Sequence, residues 1–212
     1  ALSLGLWLPL ACWLPLAARA VPPAHDPLRT LIGRGDLALA RGDSISAIGY
    51  YRDAINRAPR APEGYAALGR AYLVLKEPEH ARETFAWGLR NTRGSEPLAL
   101  GLSDSLRALG DDQAALELLR QQLATAGGGA LLLEQLALLA EAAGALTEAL
   151  AARRALLRLV AADPASPAET LRQAQIRVSA LQLLLGPADR LGAVHCAERE
   201  GSALLSALCG CR

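Results

Sequence analysis

The chain has 212 residues and a mass of 22.2 kDa, room for one ordinary domain or a short repeat array and too little for a large multidomain enzyme. Hydrophobic residues make up 52% of it but aromatics only 4%, so a core must be built from Leu, Ala and Val. That composition excludes a strand-rich sandwich or barrel and predicts an all-α fold. The 22 basic and 21 acidic residues leave a net charge of +1, with no basic surplus to draw nucleic acid and no acidic tail.

Residues 1–20 carry one charge, Arg19, in an otherwise apolar run that ends Ala18-Arg19-Ala20 before Val21-Pro22-Pro23. Small residues two apart are what a signal peptidase reads, so the segment is expected to be a signal peptide with cleavage after Ala20. The alternative is an N-terminal membrane anchor, since the run is nearly long enough to span a bilayer. Pro9 and Pro15 argue against that, and against a core helix, because each removes a helical hydrogen bond. Leu10-Ala11-Cys12 is similar to a bacterial lipoprotein box, with Pro9 where Leu is expected. Either reading of the run places the protein in the periplasm or outside the cell, and a membrane enters only through that anchor. Residues 21–27 form a Pro-rich lead-in.

Between positions 28 and 162 the sequence repeats with a period of about 34 residues. One column of small residues runs Gly35, Gly69, Ser103, Ala137, and another runs Ala47, Ala81, Ala115, Ala149. A bulky column, Tyr51, Phe85, Leu119, is faced by Ala38, Tyr72, Leu106, Ala140, a pattern of knobs and holes between helices. Turn signals at Gly42-Asp43, Lys76-Glu77-Pro78, Gly110-Asp111 and Gly144 split each unit into two helices of about fourteen residues. In the second unit Tyr65, Leu68, Gly69, Tyr72, Ala81, Phe85 and Gly88 recur in one order, and the first keeps Leu31, Gly35, Ala38, Ala47, Tyr51, Ala54 and Pro59. The third and fourth units drift toward Leu and Ala. In the fourth, Arg153 stands in the aromatic column, which predicts a second helix partly exposed or shifted.

On these residues the sequence resembles the tetratricopeptide repeat (TPR) family over about 130 of its 212 positions. The resemblance implies a right-handed α-solenoid of four helix-turn-helix units, in which each pair of helices buries its apolar face on the next. It also implies a concave groove lined by the first helix of each unit, used to hold extended or helical peptides. By matching helix positions the groove residues are Ile32, Asp36 and Leu39, then Arg70, Leu73 and Val74, then Asp104 and Arg107, and finally Gln135, Leu138 and Glu141. The family's clamp for C-terminal carboxylates uses Lys and Asn here, whereas this chain has Arg70 flanked by Asp36 and Asp104. Salt bridges along a solvated face are the competing reading of Arg70, Asp104 and Arg107.

Past the repeats, residues 163–186 read as a capping helix, opened by a Ser166-Pro167-Ala168-Glu169 capping box with Pro at the first helical position. Leu171, Ala174, Val178, Leu181 and Leu185 give that helix an apolar face for the open end of the array. Residues 187–212 form a tail with Cys196, Cys209 and Cys211. In an oxidising compartment one disulfide from Cys196 to Cys209 or Cys211 is expected. The spacings of His195-Cys196 and Cys209-x-Cys211 do not suit a zinc site, and no haem-attachment motif occurs, so no metal or cofactor is expected.

Catalysis needs a base beside a nucleophile or ion, and His25, His80 and His195 stand apart from such company in sequence. Both Arg-Gly-Asp tripeptides, at positions 34–36 and 41–43, are absorbed by helix and turn and are not expected to form an exposed adhesion loop. Gly127-Gly128-Gly129 has no following Lys or Ser and reads as a connector. The function expected is an exported, non-enzymatic scaffold that binds a protein or peptide segment, an adaptor in an envelope or secretion assembly. The alternative is an architectural subunit that self-associates into homo-oligomers, and a thiol-dependent enzyme or redox sensor using the tail cysteines is a third.

Overall fold

The computed structural model describes residues 26–92, 94–126 and 129–185. Among them the chain forms only helices joined by turns: α1 (Pro27–Ala40), α2 (Ser44–Arg57), α3 (Pro62–Val74), α4 (Pro78–Asn91), α5 (Glu96–Ala108), α6 (Asp112–Ala126), α7 (Ala130–Ala142), α8 (Leu146–Ala162) and α9 (Ala168–Leu184). Consecutive helices pack antiparallel in pairs. The odd-numbered helices α1, α3, α5 and α7 also touch in series, so the architecture is an α-solenoid with the first helix of every pair in one layer. Residues 1–20, expected to be a signal peptide, the lead-in up to His25 and all four cysteines lie outside the described residues.

The turns inside the pairs share one construction. Gly42, Gly110 and Gly144 adopt φ of +80°, +82° and +74°, and Lys76 takes the same left-handed place in the second unit at +63°. After each, a backbone N–H returns to the helix: Asp43 to Ala38, Glu77 to Tyr72, Asp111 to Leu106 and Ala145 to Ala140, at 2.8–3.0 Å. This left-handed closure satisfies carbonyls that the ending helix would otherwise leave unpaired, and glycine reaches it without strain. The following helix is then started by Asp43 or Asp111, whose carboxylates accept the N–H of Ser46 and Ala114, or by Pro78 just inside α4.

Two clusters of buried side chains fill the interior. The first gathers Tyr51, Tyr65, Tyr72 and Phe85 around Ala47, Ala81 and Leu98. Glycine makes room for the rings: a Cβ on Gly35 would collide with Tyr51, and one on Gly69 or Gly101 with Phe85. The second cluster is Leu and Ala, centred on Leu119, Leu133, Leu136 and Leu150, and it takes in Val178, Leu181 and Leu185 from α9.

Three sequence expectations change. Arg153 is neither exposed nor displaced: it is 2% exposed, and its Nε donates to Glu141 at 2.9 Å with Glu134 3.6 Å from Nη1. Two carboxylates on α7 let a guanidinium occupy an aromatic's place, a device that the α8 sequence alone does not display. Second, α9 is not opened by a capping box. Pro167 precedes the helix instead of standing inside it, with no side-chain cap. Ser166 donates to Asp163 at 3.2 Å, and Asp163 also accepts the Ala165 N–H, so a local Asx turn claims the serine. Third, Arg41-Gly42-Asp43 is exposed, although the Asp43 carboxylate is engaged on the Ser46 N–H; Gly35 of the other tripeptide is buried in α1.

Candidate partner-binding surfaces

The register that stacks the units also aligns their surface positions. Asp36, Arg70, Asp104 and Leu138 hold one position on α1, α3, α5 and α7, and Leu39, Leu73, Arg107 and Glu141 hold the position three residues later. Because those helices touch in series, the first-helix face carries a row of alternating charge beside apolar side chains.

At the start of the row, the Tyr51 hydroxyl donates to Asp36 at 2.7 Å. Burial, followed by the bond to Asp36, holds that phenol well above the usual tyrosine range, with Arg70 acting weakly the other way. Ile32 and Leu39 are half-buried beneath this corner. Arg70 is exposed and has no ion pair or hydrogen bond to any described residue, while on the same helix face Leu73 is half-buried and Val74 is 64% exposed.

The third and fourth units differ. Asp104 accepts a 2.8 Å bond from Gln135 Nε2 and lies 3.9 Å from Arg107, which is also 3.9 Å from Asp112. Desolvation raises the Asp104 carboxyl above the ordinary aspartate value, against the pull of Arg107 and Gln135. Glu141 is turned to the buried Arg153, and Leu138 is 45% exposed. The structure thus brings Asp104, Arg107 and Gln135 into one internally bonded patch, sets Asp36 and Arg70 around Tyr51, and withdraws Glu141 from the face.

A further cavity, which the sequence reading did not anticipate, lies between the second helices α2 and α4. It measures about 720 Å³ and has Leu68 and Tyr72 of α3 as its floor. Arg52, Arg82 and Arg90 line it with Trp87, and His80 stacks on Tyr72 at 5.2 Å. A sequence signal existed for part of it: Arg52, His80 and Arg82 sit one place before or after the bulky and alanine columns.

Among the described residues no group of three His, Cys, Asp or Glu could hold a metal ion, and no helix is long and apolar enough to cross a membrane.

No protein-family model and no curated protein sequence matches the chain. Solved structures do. A thermophilic TPR protein of Thermus thermophilus is 24% identical with a TM-score of 0.56, covering 75% of this chain and 82% of that one. The pilF protein of Pseudomonas aeruginosa is 17% identical with a TM-score of 0.56, covering 81% and 74%. YrrB, described as a TPR protein with an unusual peptide-binding site, is 17% identical with a TM-score of 0.50, covering 84% and 82%. With the helix pairs, the shared left-handed turns and the small and bulky columns in register, these likenesses establish that the chain has the fold of the tetratricopeptide-repeat α-solenoid.

Proposed function

We propose that the protein is a non-enzymatic scaffold that holds a segment of a partner protein on its first-helix face, as an exported adaptor in an envelope or secretion assembly. The observation that carries this reading is Arg70. Its guanidinium is exposed with no ion pair or hydrogen bond to a described residue, next to the half-buried Leu73 and the exposed Val74 on the same face. A guanidinium offers a fixed fork of donors to a carboxylate or to backbone carbonyls, and the adjoining apolar wall takes an aliphatic side chain. Arg107 does not serve the same purpose, because Asp104 and Asp112 flank it. YrrB offers a precedent for a peptide site on this fold. The export half of the proposal rests on residues 1–20 alone, and intact mass of the mature protein is expected to begin at Val21.

The test is a photocrosslinking amino acid placed at Val74, on the first-helix face, and in parallel at Ile45, which is 85% exposed on α2. A specific partner protein joined from position 74 and not from 45 supports the reading. Crosslinks only between copies of this chain would favour the architectural subunit instead.

A further inference from the structure

The repeat allows the cleft between α2 and α4 to be compared with its own counterpart two units later. Arg120 of α6 holds the register position of Arg52, one residue after the bulky column, and Glu148 of α8 holds that of His80, one residue before the alanine column. In the later pair the two side chains close on each other. Arg120 Nε and Nη2 each donate to Glu148 at 2.7 Å, a two-pronged bond that joins successive second helices. In the earlier pair the carboxylate is missing. His80 instead stacks on Tyr72 and turns Nδ1 to Glu77 at 3.2 Å, and Arg52 is left with a single bond, from Nη2 to the Tyr72 hydroxyl at 3.2 Å.

The unclosed position opens into the 720 Å³ cleft. Its charged groups are Arg52, Arg82 and Arg90 against one acid, Glu83, with the His80 imidazole beside them. Neither Arg82 nor Arg90 has an ion pair or hydrogen bond to a described residue, and both are exposed. Between them lies apolar material: Ile55 and Leu68 at the base and Trp87 at the rim, 49% exposed with its ring edge-on to Tyr65. Excess positive charge in a recess with low-dielectric walls attracts acidic groups, and arginine beside an exposed tryptophan is the composition of anchor sites in protein interfaces.

We propose that this cleft binds an acidic peptide segment, one carboxylate of which takes on Arg52 the place that Glu148 fills on Arg120. Further carboxylates meet Arg82 and Arg90, and an apolar residue between the acids enters over Ile55 and Leu68. The site lies on the second helices and is separate from the first-helix face around Arg70.

The experiment is an amide-resolved NMR titration of the full chain with an acetylated, amidated Glu-Glu-Leu-Glu-Glu peptide, and with the same peptide carrying Gln at every Glu. The acidic peptide is expected to give saturable shifts confined to α2, α4 and the Trp87 indole, and the Gln peptide to bind at least tenfold more weakly. His80→Glu supplies the missing carboxylate from within the chain, so it should weaken the acidic peptide at least tenfold while the spectrum stays that of the folded protein. Arg52→Ala should weaken it comparably, whereas Arg57→Ala, which removes the same charge from α2 outside the cleft, should leave the affinity unchanged. The proposal is overturned if no saturable shifts occur on α2 and α4, if the Gln peptide binds equally, or if His80→Glu has no effect.

Discussion

The first two units and the last two reach one architecture by different packing. In α1–α4 the bulky column is aromatic, and each ring needs a hole: Gly35 receives Tyr51, while Gly69 and Gly101 receive Phe85. In α5–α8 the column becomes Leu119 and then Arg153, the positions of Gly35 and Gly69 are taken by Ser103 and Ala137, and cohesion is spread over many Leu and Ala contacts plus a buried guanidinium with carboxylate partners. The surfaces diverge in the same way. Charges on the later units are largely spent on each other, at Arg120–Glu148 and around Asp104, while Arg70, Arg82 and Arg90 of the second unit have no such partners among the described residues. The difference teaches that tight ring-into-glycine packing lets an earlier unit hold its shape without surface pairing, so its charges remain available to a partner.

Substitutions at five positions sharpen or break that contrast. The largest effect is expected for Phe85→Ala, because the ring is 1% exposed and contacts the glycines of both α3 and α5. It should cost about 3–5 kcal/mol in urea unfolding. The matched Leu119→Ala in the later half is expected to cost less, about 2–4 kcal/mol. Equal losses would remove the distinction between the two packings.

Arg153→Ala comes next, at about 2–3 kcal/mol, from the lost packing and the carboxylates left without their cation, discounted because Glu141 and Glu134 stay 34% and 42% exposed. Arg153→Phe restores the column's aromatic and should recover most of that loss. If the phenylalanine variant is as unstable as the alanine one, the guanidinium is not standing in for a ring.

Glu148→Gln removes the charge of the two-pronged bond on a residue 14% exposed and should cost about 1 kcal/mol. The bond to Glu148 holds the Arg120 guanidinium firmly protonated, so raising the pH within the range of stability should not mimic the substitution.

The smallest effect is expected at Asp104. Its folded carboxyl titrates above the unfolded one, so its contribution is fully present below the unfolded pKa and is lost as pH rises through the folded pKa. Asp104→Asn, a half-exposed site, should therefore shift stability by at most about 0.5 kcal/mol at pH 7 and flatten the profile above the ordinary aspartate range. A steeper profile in the variant would reverse the assignment.

The helices and their pairing were legible in the sequence because size is periodic: Ala at 47, 81, 115 and 149 is buried without exception, and Gly42, Gly110 and Gly144 mark turns that require a left-handed residue. Lys76 was legible as a turn only through its register and the following Pro78. What the repeat pattern could not carry was pairing between side chains of different helices. The burial of Arg153 depends on α7, the quieting of Asp104 on Gln135 one unit later, and the openness of Arg52 on a histidine where a later unit has glutamate. Each is a contact between side chains distant in sequence, and neither helical periodicity nor column size encodes it. The start of α9 was misread for a local reason, since Asp163 competes for Ser166.

The central claim, that the first-helix face around Arg70 holds a partner segment, is tested most directly by the affinity of Arg70→Ala for the partner crosslinked from position 74. The account predicts a loss of about 1–3 kcal/mol, the range for charge-assisted bonds, with circular dichroism unchanged because Arg70 is exposed and packs no core. Leu68→Asp, at a position 4% exposed, should by contrast lose binding and helicity together. An Arg70→Ala protein that binds its partner as tightly as the parent would contradict the account.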